Sequence, residues 1–290
     1  MVRRVVAIVN PVSGRNDRWP AVRRVGEALK SLGGDLEVLV TQGPGHATSL
    51  TAAVSQRADA ILVVGGDGTI CEVVNGLVGS SAPLLVFGTG TENLLVRELR
   101  TPRQPEEIAH TLMFGCSFAV DVGVVNDRRF LSVVGVGFDA ECVWRFARLR
   151  RGHVTHGTYF WPIWRTYWAH HFPRLTVETE DEVLFEGRGL VFVGGIGRYA
   201  TGLRILHRAR WDDGLLDVCV FPCSTKTKLI GHALRVLTRR HLHRGGTIYR
   251  QVCRVSIRSP ETVPIEVDGE PGEPLPIECS ILPRAVTFLC

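Results

Sequence analysis

The chain has 290 residues, enough for roughly two domains that each bury a core, so a small disulfide-stabilised scaffold is excluded. Hydrophobic residues make up 45% and charged residues 22%, which is ordinary globular composition and excludes a disordered chain. The net charge of +5 is too small to require a nucleic-acid partner, and we expect none. It does favour anionic ligands or an anionic membrane surface.

The first part of the chain alternates between apolar strands and amphipathic helices. Strands are predicted at residues 4–9, 36–40, 60–64 and 84–87, and helices at residues 19–32, 46–56 and 70–78. Strands with continuous apolar runs, separated by helices, pair in parallel with both faces covered. We therefore predict a doubly wound α/β domain over residues 1–118.

Short strands separated by turn residues follow in the second part. They are predicted at residues 119–125, 130–135, 175–180, 190–194, 216–221, 252–258, 263–267 and 286–289. This pattern predicts a β-sandwich domain over residues 119–290, whose last strand is free to return to the first domain. Two helical insertions are predicted at residues 142–171 and 226–243. The apolar side of the second consists of Leu229, Ile230, Ala233, Val236 and Leu237.

The eight cysteines include no CxxC pair and no spacing with histidine that is typical of a zinc site. We expect buried thiols in a reducing compartment. The N-terminal apolar stretch is broken by Asn10 and Pro11 too early for a secretory signal. No apolar run approaches the roughly 20 residues that cross a bilayer, so we expect a cytoplasmic protein whose membrane contact is at most peripheral, at the inner face.

The most informative motif is Gly-Gly-Asp-Gly-Thr at residues 65–69, between a buried strand and a helix. Glycines there let the backbone approach phosphate oxygens, and a helix N-terminus offers them free N–H groups. Because the Asp67 carboxylate would repel phosphate, its position favours a divalent cation such as Mg²⁺ between the two. The alternative is a plain strand-to-helix turn.

Two further polar loops follow the first and fourth predicted strands, so all three loops lie at the same edge of the parallel sheet. Asn-Pro-Val-Ser-Gly-Arg occupies residues 10–15, and Gly-Thr-Gly-Thr-Glu-Asn occupies residues 88–93. A helix cap at Thr91 or Glu92 explains one such loop but not three. The spacing is neither that of a Walker loop nor that of the dinucleotide-binding fingerprint.

Four motifs, in their order along the chain, resemble the diacylglycerol kinase catalytic-domain family, which includes bacterial diacylglycerol kinases and sphingosine and ceramide kinases. They are N-P-x-S-G at residues 10–14, G-G-D-G-T at 65–69, G-T-x-N at 90–93 and D-G-E at 268–270. The resemblance implies phosphorylation of a lipid hydroxyl, with ATP and Mg²⁺ as cofactors, in a cleft between an α/β domain and a β-sandwich domain. It names neither the lipid nor the oligomeric state, and a homodimer is left open.

The resemblance also implies roles for single residues. Glu270 would be the general base, which suits a lipid alcohol that is a poor nucleophile near neutral pH, and Asp67 would act with Mg²⁺ at the phosphates. A structural Mg²⁺ would be held by Asp213 with the backbone carbonyls of Arg210 and Leu215. The implied nucleotide contacts are Asn10, Pro11, Ser13, Gly14, Thr41, Gly65, Gly66, Asp67, Gly68, Thr69, Thr91 and Asn93.

Plain turns are the alternatives for two of these residues, because Asp268-Gly269 also suits a β-hairpin tip and Asp213-Gly214 a turn before a strand. One position departs from the family, which commonly has Asp where this chain has Leu94. Because of that departure, a non-catalytic nucleotide or lipid sensor with the same fold is an alternative function. A pyridine-nucleotide kinase shares G-G-D-G, although N-P-x-S-G and D-G-E argue against it.

The segment at residues 156–172 is rich in aromatic residues, which suits a membrane interface or, equally, a helix packed on its own domain. The aromatic residues are Tyr159, Phe160, Trp161, Trp164, Tyr167, Trp168 and Phe172. The basic side of residues 226–244 would suit anionic head groups or plain solvation. It contains Arg235, Arg239, Arg240 and Arg244.

Overall fold

The computed structural model describes residues 4–14, 17–77, 80–89, 96, 99, 101–149, 156–199, 203–242 and 246–290. Its contacts divide the chain into two compact units. The first comprises Met1–Val120 and Arg284–Cys290, and the second comprises Asp121–Pro283.

The first unit is a parallel sheet between helices. Its elements are β1 (Arg4–Val9), α1 (Trp19–Ser31), β2 (Asp35–Val40), α2 (His46–Val54), β3 (Ala60–Gly65), α3 (Asp67–Gly76), β4 (Leu84–Gly88) and α4 (Pro105–Phe114). The strand order is β2-β1-β3-β4, and every pair in it is parallel. The predicted doubly wound arrangement is confirmed.

Helices cover the sheet with one apolar face, as α1 shows. Val22, Val25 and Leu29 recur along one face of α1 and are buried against β1 and β3 together with Ile108 and Leu112 of α4. Helix α3 begins at Asp67, three residues earlier than predicted, because the extended residue Gly66 already acts as its N-cap. Helix α4 has no counterpart among the predicted elements.

The second unit is rich in strands. Its elements are β5 (Ser117–Val125, which starts in the first unit), β6 (Arg128–Phe130), β7 (Val133–Val136), α5 (Phe138–Leu149), α6 (His156–Ala169), β8 (Arg174–Thr179), β9 (Val183–Gly194), β10 (Arg198–Tyr199), β11 (Leu203–Arg204), β12 (Leu216–Pro222), α7 (Lys226–Leu237), β13 (Ile248–Val252), β14 (Arg254–Arg258), β15 (Ile265–Val267), β16 (Glu270–Pro271) and β17 (Ile277–Leu289). The end of β17 belongs to the first unit, where Phe288 lies opposite Leu84 of β4.

The long strand β9 takes part in two layers. Its first half pairs with β8, which pairs with β14, and β14 pairs with the start of β17. Its second half lies between β12 and β7, in the order β13-β12-β9-β7-β15-β16. Residues of both layers, such as Val177 and Ile257 in one and Val193 and Val218 in the other, form one buried core. This is the predicted β-sandwich.

Several predicted elements differ in extent. The predicted strand at 130–135 is broken, because the N–H groups of Leu131 and Ser132 donate to the Asp268 carboxylate. The predicted strand at 252–258 divides at Cys253, and the predicted helix at 142–171 is two helices, α5 and α6. The predicted final strand is only the end of β17.

Helix α7 corrects the prediction for the second insertion. It ends at Leu237 rather than at residue 243. Of the predicted apolar side, Leu229 and Val236 are buried, whereas Ile230, Ala233 and Leu237 are exposed. The buried face is completed by His232, whose ring nitrogen Nε2 lies 3.1 Å from the carbonyl oxygen of Pro222.

The cysteine prediction is only partly right. All eight cysteines are free, and Cys71, Cys219, Cys223 and Cys279 are buried, but Cys116, Cys253 and Cys290 are exposed. Within the described part of the chain, no helix is long and apolar enough to span a membrane.

Candidate functional site

The loop after β1 is held by the side chain of Asn10. The amide of Asn10 donates from Nδ2 to the Thr69 hydroxyl at 2.9 Å, while its Oδ1 accepts the N–H of Val12 at 3.1 Å. Its backbone N–H continues the sheet by donating to the Val64 carbonyl at 2.9 Å. One residue thus fixes its own loop and ties it to the loop after β3.

The loop after β3 depends on a glycine. A Cβ on Gly65 would lie 2.6 Å from the Cβ of Thr69 and 2.7 Å from its hydroxyl oxygen, closer than real atoms approach. Gly65 therefore gives the buried Thr69 side chain the room in which it meets Asn10. Asp67 follows as the first residue of α3 and is partly exposed, at the helix end where backbone N–H groups have no intrahelical partner.

The loop after β4 meets the first loop. The buried Thr89 hydroxyl donates to Ser13 Oγ at 3.0 Å, and the Thr89 N–H continues the sheet to the Gly65 carbonyl at 2.8 Å. Gly14, with φ +83°, passes so close that a Cβ there would lie 2.1 Å from the Thr89 carbonyl oxygen. The predicted contacts Thr91 and Asn93, and the departure at Leu94, lie outside the described residues.

The end of β2 lies at the same edge. Thr41 is buried, and its N–H donates to the Val9 carbonyl at 2.9 Å, one residue before Asn10. Pro11 lies exposed in the first loop, and Gly68 is in the first turn of α3. The structure thus brings together the predicted nucleotide contacts that it describes.

Two residues that support this edge were not predicted from the sequence. The Arg18 guanidinium donates to the Thr89 carbonyl oxygen at 3.3 Å. The Glu72 carboxylate of α3 accepts the N–H groups of Gly45 and Ala47, at 2.9 and 3.0 Å, and so holds the start of α2. Their positions in the sequence could have pointed to both residues, because each closely follows a glycine-containing loop. Arg18 comes four residues after Gly14, and Glu72 comes three residues after Thr69.

The D-G-E motif forms the tip of a β-hairpin. Asp268 and Gly269 have φ values of +53° and +82°, and Val267 pairs with Glu270 across them, so the two central residues form a type I′ turn. The hairpin alternative is therefore correct as a description of the backbone. It leaves the chemistry of the motif open.

The first acid of that motif is structural. Asp268 accepts the N–H groups of Leu131, Ser132 and Val133 at 2.9, 2.7 and 3.0 Å, and its own N–H donates to the Val133 carbonyl. A carboxylate that accepts three backbone N–H groups is held firmly, because each charge-assisted bond is stronger than a neutral one. Asp268 thereby joins the hairpin tip to β7.

Glu270 has a different environment. Its side chain is 57% exposed, and its Oε2 accepts a hydrogen bond from the Arg128 guanidinium at 2.9 Å. An ion pair this exposed contributes little to stability, so it orients the carboxylate more than it holds the fold. Arg128 is the residue of this region that sequence reasoning missed, and only its place on the short strand beside β5 would have pointed to it.

The predicted metal residues lie in a tight turn. Asp213 Oδ1 accepts the Leu215 N–H at 3.1 Å, and the Gly214 N–H donates to the buried Asp121 carboxylate at 2.7 Å. The Arg210 guanidinium pairs with Asp212. Across the described residues, no three His, Cys, Asp or Glu side chains are grouped to hold a metal, so a cation here would depend on backbone carbonyls.

A depression of about 550 Å³ lies at the opposite rim of the sheet in the first unit. It is lined by Ser55, Gln56, Ala58, Asp59, Ser80, Ser81, Ala82 and Pro83. These residues precede β3 and β4, whereas the predicted nucleotide contacts follow the strands, so it is not part of the candidate site. The expected cleft between two domains stays a prediction.

Comparison with known proteins places the chain in a family. A model of the diacylglycerol kinase catalytic domain matches residues 4–125, and a model of the YegS C-terminal NAD kinase beta sandwich-like domain matches residues 132–290. The chain belongs to the diacylglycerol kinase catalytic-domain family. The resemblance carried by the four motifs is confirmed, and membership of this family supports the prediction that the protein is a kinase.

Relatives and solved structures of this family align along almost the whole chain. A Mycobacterium tuberculosis protein named diacylglycerol kinase is 28% identical over 99% of this chain and 95% of its own. A Bacillus subtilis protein of that name is 27% identical over 96% and 93%. The crystal structure of a proposed diacylglycerol kinase from Bacillus anthracis is 25% identical, with a TM-score of 0.80 over 99% of this chain and 97% of that one.

We predict that Gly65→Ala lowers the free energy of unfolding by about 1–3 kcal/mol, because its Cβ has to displace Thr69. Gly43→Ala is the control, since a Cβ on Gly43 meets nothing within 4 Å, and it should change stability by less than about 0.5 kcal/mol. Urea unfolding of both variants measures the difference. Equal effects would show that Gly65 does not make room for Thr69.

Proposed function

We propose that this protein is an ATP-dependent lipid kinase that transfers the γ-phosphate to the hydroxyl of diacylglycerol or a related lipid. The observation that carries the proposal is the direct hydrogen bonding of three polar loops, through Asn10 with Thr69 and Ser13 with Thr89, at one edge of the parallel sheet. Family membership supports phosphoryl transfer, and the curated relatives named diacylglycerol kinase support the lipid acceptor.

The edge has the chemistry of a phosphate site. The carboxyl ends of parallel strands are where ligands bind in open α/β sheets, and the N-terminus of α3, the positive end of the helix dipole, lies there. Glycines at 65, 66 and 68 leave the backbone accessible to phosphate oxygens. Residues 65–69 would therefore bind the phosphates, with Asn10, Ser13 and Gly14 shaping the loop beside them.

Asp67 would hold Mg²⁺ at this site together with phosphate oxygens. Its carboxylate is a hard oxygen donor, it is partly exposed, and it lies at the helix N-terminus where the phosphates would bind, so the residues present fit this ion. When bound, Mg²⁺ neutralises phosphate charge. The chain's own part is to hold the carboxylate and the N–H groups in place.

A structural Mg²⁺ fits the turn at residues 210–215 by its donor chemistry. Asp213 offers a carboxylate, and Arg210 and Leu215 offer backbone carbonyl oxygens, which are the oxygen ligands that Mg²⁺ prefers. The Arg210 guanidinium itself hydrogen-bonds to the neighbouring Asp212. The buried Asp121, which accepts the Gly214 N–H, fixes the turn that presents these oxygens.

Glu270 is the residue that we assign as general base. It is ionisable, its side chain is exposed enough to reach a substrate, and Arg128 orients it from one side. A carboxylate that accepts the proton of the lipid hydroxyl makes that hydroxyl a better nucleophile. The remainder of the acceleration would come from positioning and charge neutralisation.

Helices α6 and α7 give the proposed lipid kinase a surface that suits a membrane. Trp161, Trp164 and Trp168 recur at helical spacing along α6 and are 57%, 47% and 57% exposed. Ile230, Leu234 and Leu237 do the same on α7. Aromatic side chains with neighbouring cations are typical of membrane interfaces.

A basic residue joins the two helices. Lys226, the first residue of α7, donates to the Trp168 carbonyl oxygen at 2.7 Å, and its ammonium lies 4.9 Å from the centre of the Trp168 ring. Arg239 and Arg240 follow the end of α7 and are exposed, whereas the predicted Arg244 lies outside the described residues. We propose peripheral binding of this surface to anionic lipid.

The two rival functions are separated by one assay. Purified protein is incubated with labelled ATP, Mg²⁺ and a total lipid extract, and in parallel with NAD. A labelled lipid supports the proposal, labelled NADP supports a pyridine-nucleotide kinase, and ATP binding without any labelled product supports a sensor.

Glu270→Gln should lower turnover of the lipid by about 10²-fold or more, because the amide cannot accept the proton, while ATP binding stays near normal. Glu273→Gln, an exposed acid three residues further along the chain, is the control and should leave turnover unchanged. Turnover is measured with labelled ATP, and binding by titration calorimetry. Equal turnover in the native chain and in Glu270→Gln removes Glu270 from the mechanism.

Asp67→Asn should raise the Mg²⁺ concentration needed for half-maximal turnover by about tenfold or more, because the carboxylate charge that holds the ion is lost. Asp35→Asn is the control and should behave like the native chain, because Asp35 is the first residue of β2 and the candidate site lies where the strands end. An unchanged Mg²⁺ requirement in Asp67→Asn would contradict the assignment.

Trp161→Ala/Trp164→Ala should weaken binding to vesicles that contain phosphatidylglycerol by about tenfold or more, since two large apolar side chains leave the interface. Phe114→Ala removes an equally exposed aromatic residue, from α4, and should have no effect. Vesicle sedimentation at two salt concentrations measures both variants. Binding that survives the double substitution would reject this surface.

A further inference from the structure

A buried pair of carboxyl groups adjoins the turn that carries Glu270, and the proposed reaction does not use it. Glu266 on β15 is 0% exposed, and Asp139 lies in the first turn of α5. A Cβ on Gly135 of β7 would lie 2.7 Å from both Asp139 Oδ2 and Glu266 Oε1. The two oxygens therefore converge on the space that the absence of a side chain on Gly135 leaves.

Neither of these two buried oxygens has a hydrogen-bond partner among the described residues. The rest of each group is held. Glu266 Oε2 accepts the N–H of Gly269 at 2.7 Å, and the Asp139 carboxyl bonds with the Tyr199 hydroxyl. Two unpaired carboxylate oxygens converging in a buried site are strongly unfavourable, and one shared proton removes both the repulsion and the unmet acceptors.

We propose that Glu266 carries a proton at neutral pH and donates it from Oε1 to Asp139 Oδ2, and that this acid pair positions the turn that carries Glu270. Glu266 is thus a positioning residue. The acid pair stands on its own contacts, whereas its value for catalysis rests on the proposed function of Glu270.

The surroundings decide which acid holds the proton. Burial raises the pKa of Glu266 well above its usual range, and the nearby Asp139 raises it further. Burial also raises the pKa of Asp139, but the hydrogen bond from Tyr199, and the one that Glu266 donates in the proposed pair, act in the opposite direction and favour its ionised form. Glu266 therefore keeps the proton.

The other groups that act on the pair supply no positive charge. Among the described interactions, those groups are Tyr199 on β10, Cys142 on α5 and Asp268 in the turn. Burial and the charge of Asp139 raise the pKa of the Cys142 thiol to about 12, so it is neutral, and Asp268 is an acid bonded to three backbone N–H groups. Nor do the described residues group three side-chain ligands for a metal here.

The raised pKa of Glu266 determines how the free energy of unfolding depends on pH. Between the ordinary glutamate pKa of about 4.3 and the higher native pKa, the folded chain holds one proton more than the unfolded chain. The stabilisation is complete below that window and is lost as the pH rises through it. Above the native pKa the two carboxylates repel each other, and Glu266 loses the geometry that fixes the Gly269 N–H.

Glu266→Gln tests the pair, because the glutamine amide can donate to Asp139 while its carbonyl oxygen accepts the Gly269 N–H. The infrared spectrum of the native chain at neutral pH should contain the carbonyl band of an un-ionised carboxylic acid that the variant lacks. Relative to the variant, the unfolding equilibrium constant of the native chain should rise about tenfold per pH unit within the window. Asp139→Asn, whose amide can donate to Glu266 instead, should also lose the band and serves if the first variant does not fold.

Glu141→Gln is the matched control, because Glu141 lies on the same helix and bonds with His170 at 2.9 Å, and it should retain both the band and the pH slope. Identical spectra and slopes for the native chain and Glu266→Gln overturn the proposal.

The positioning role is tested by the pH profile of lipid turnover. Turnover by the native chain should fall at alkaline pH with little change in the KM for ATP, and Glu266→Gln should abolish that fall. An alkaline fall that persists in the variant overturns the positioning role. If the band is lost as expected but no lipid is phosphorylated at any pH, the acid pair stands and the proposed function fails.

Discussion

The hydrogen bond from Asn10 to Thr69 is the contact on which the candidate site depends. It joins the loop after β1 to the loop after β3, and the contact of Ser13 with Thr89 adds the loop after β4. A parallel sheet brings three strand ends to one edge, but only side-chain contacts of this kind fix the loops that follow. Each contact needs a glycine beside it, since side chains at Gly65 or Gly14 would occupy the space of Thr69 or of the Thr89 carbonyl.

The second unit supports its candidate residue by a different device. Glu270 itself is exposed, but the turn that bears it is fixed by acids on both sides. Asp268 accepts three backbone N–H groups at the break between β6 and β7, and Glu266 accepts the N–H of Gly269 from within the core. The three acids of this short hairpin therefore have different roles. Asp268 joins the turn to β7, Glu266 holds it from the core, and Glu270 is left exposed; their burial and hydrogen-bond partners account for the difference.

Sequence patterns predicted most of this fold, because apolar periodicity reports local burial. The strands β1 to β4 and the helices α1 to α3 of the first unit, the sandwich of the second and the meeting of the three loops all followed from it, whereas helix α4 was not predicted. Contacts between distant segments could not be predicted in this way. The break at Leu131 comes from Asp268, far along the chain, and the exposure of Ile230 and Leu237 depends on which face of α7 packs on the sheet. The convergence of Asp139 and Glu266 likewise needs the register of β7 with β15.

A crystal structure with Mg²⁺ and a non-hydrolysable ATP analogue tests the central claim most directly. The account predicts phosphate oxygens within about 3 Å of backbone nitrogens in residues 66–69, with Mg²⁺ between Asp67 and the phosphates and the Asn10 to Thr69 hydrogen bond intact. Phosphates bound elsewhere on the protein, with this loop edge free of ligand, would contradict it.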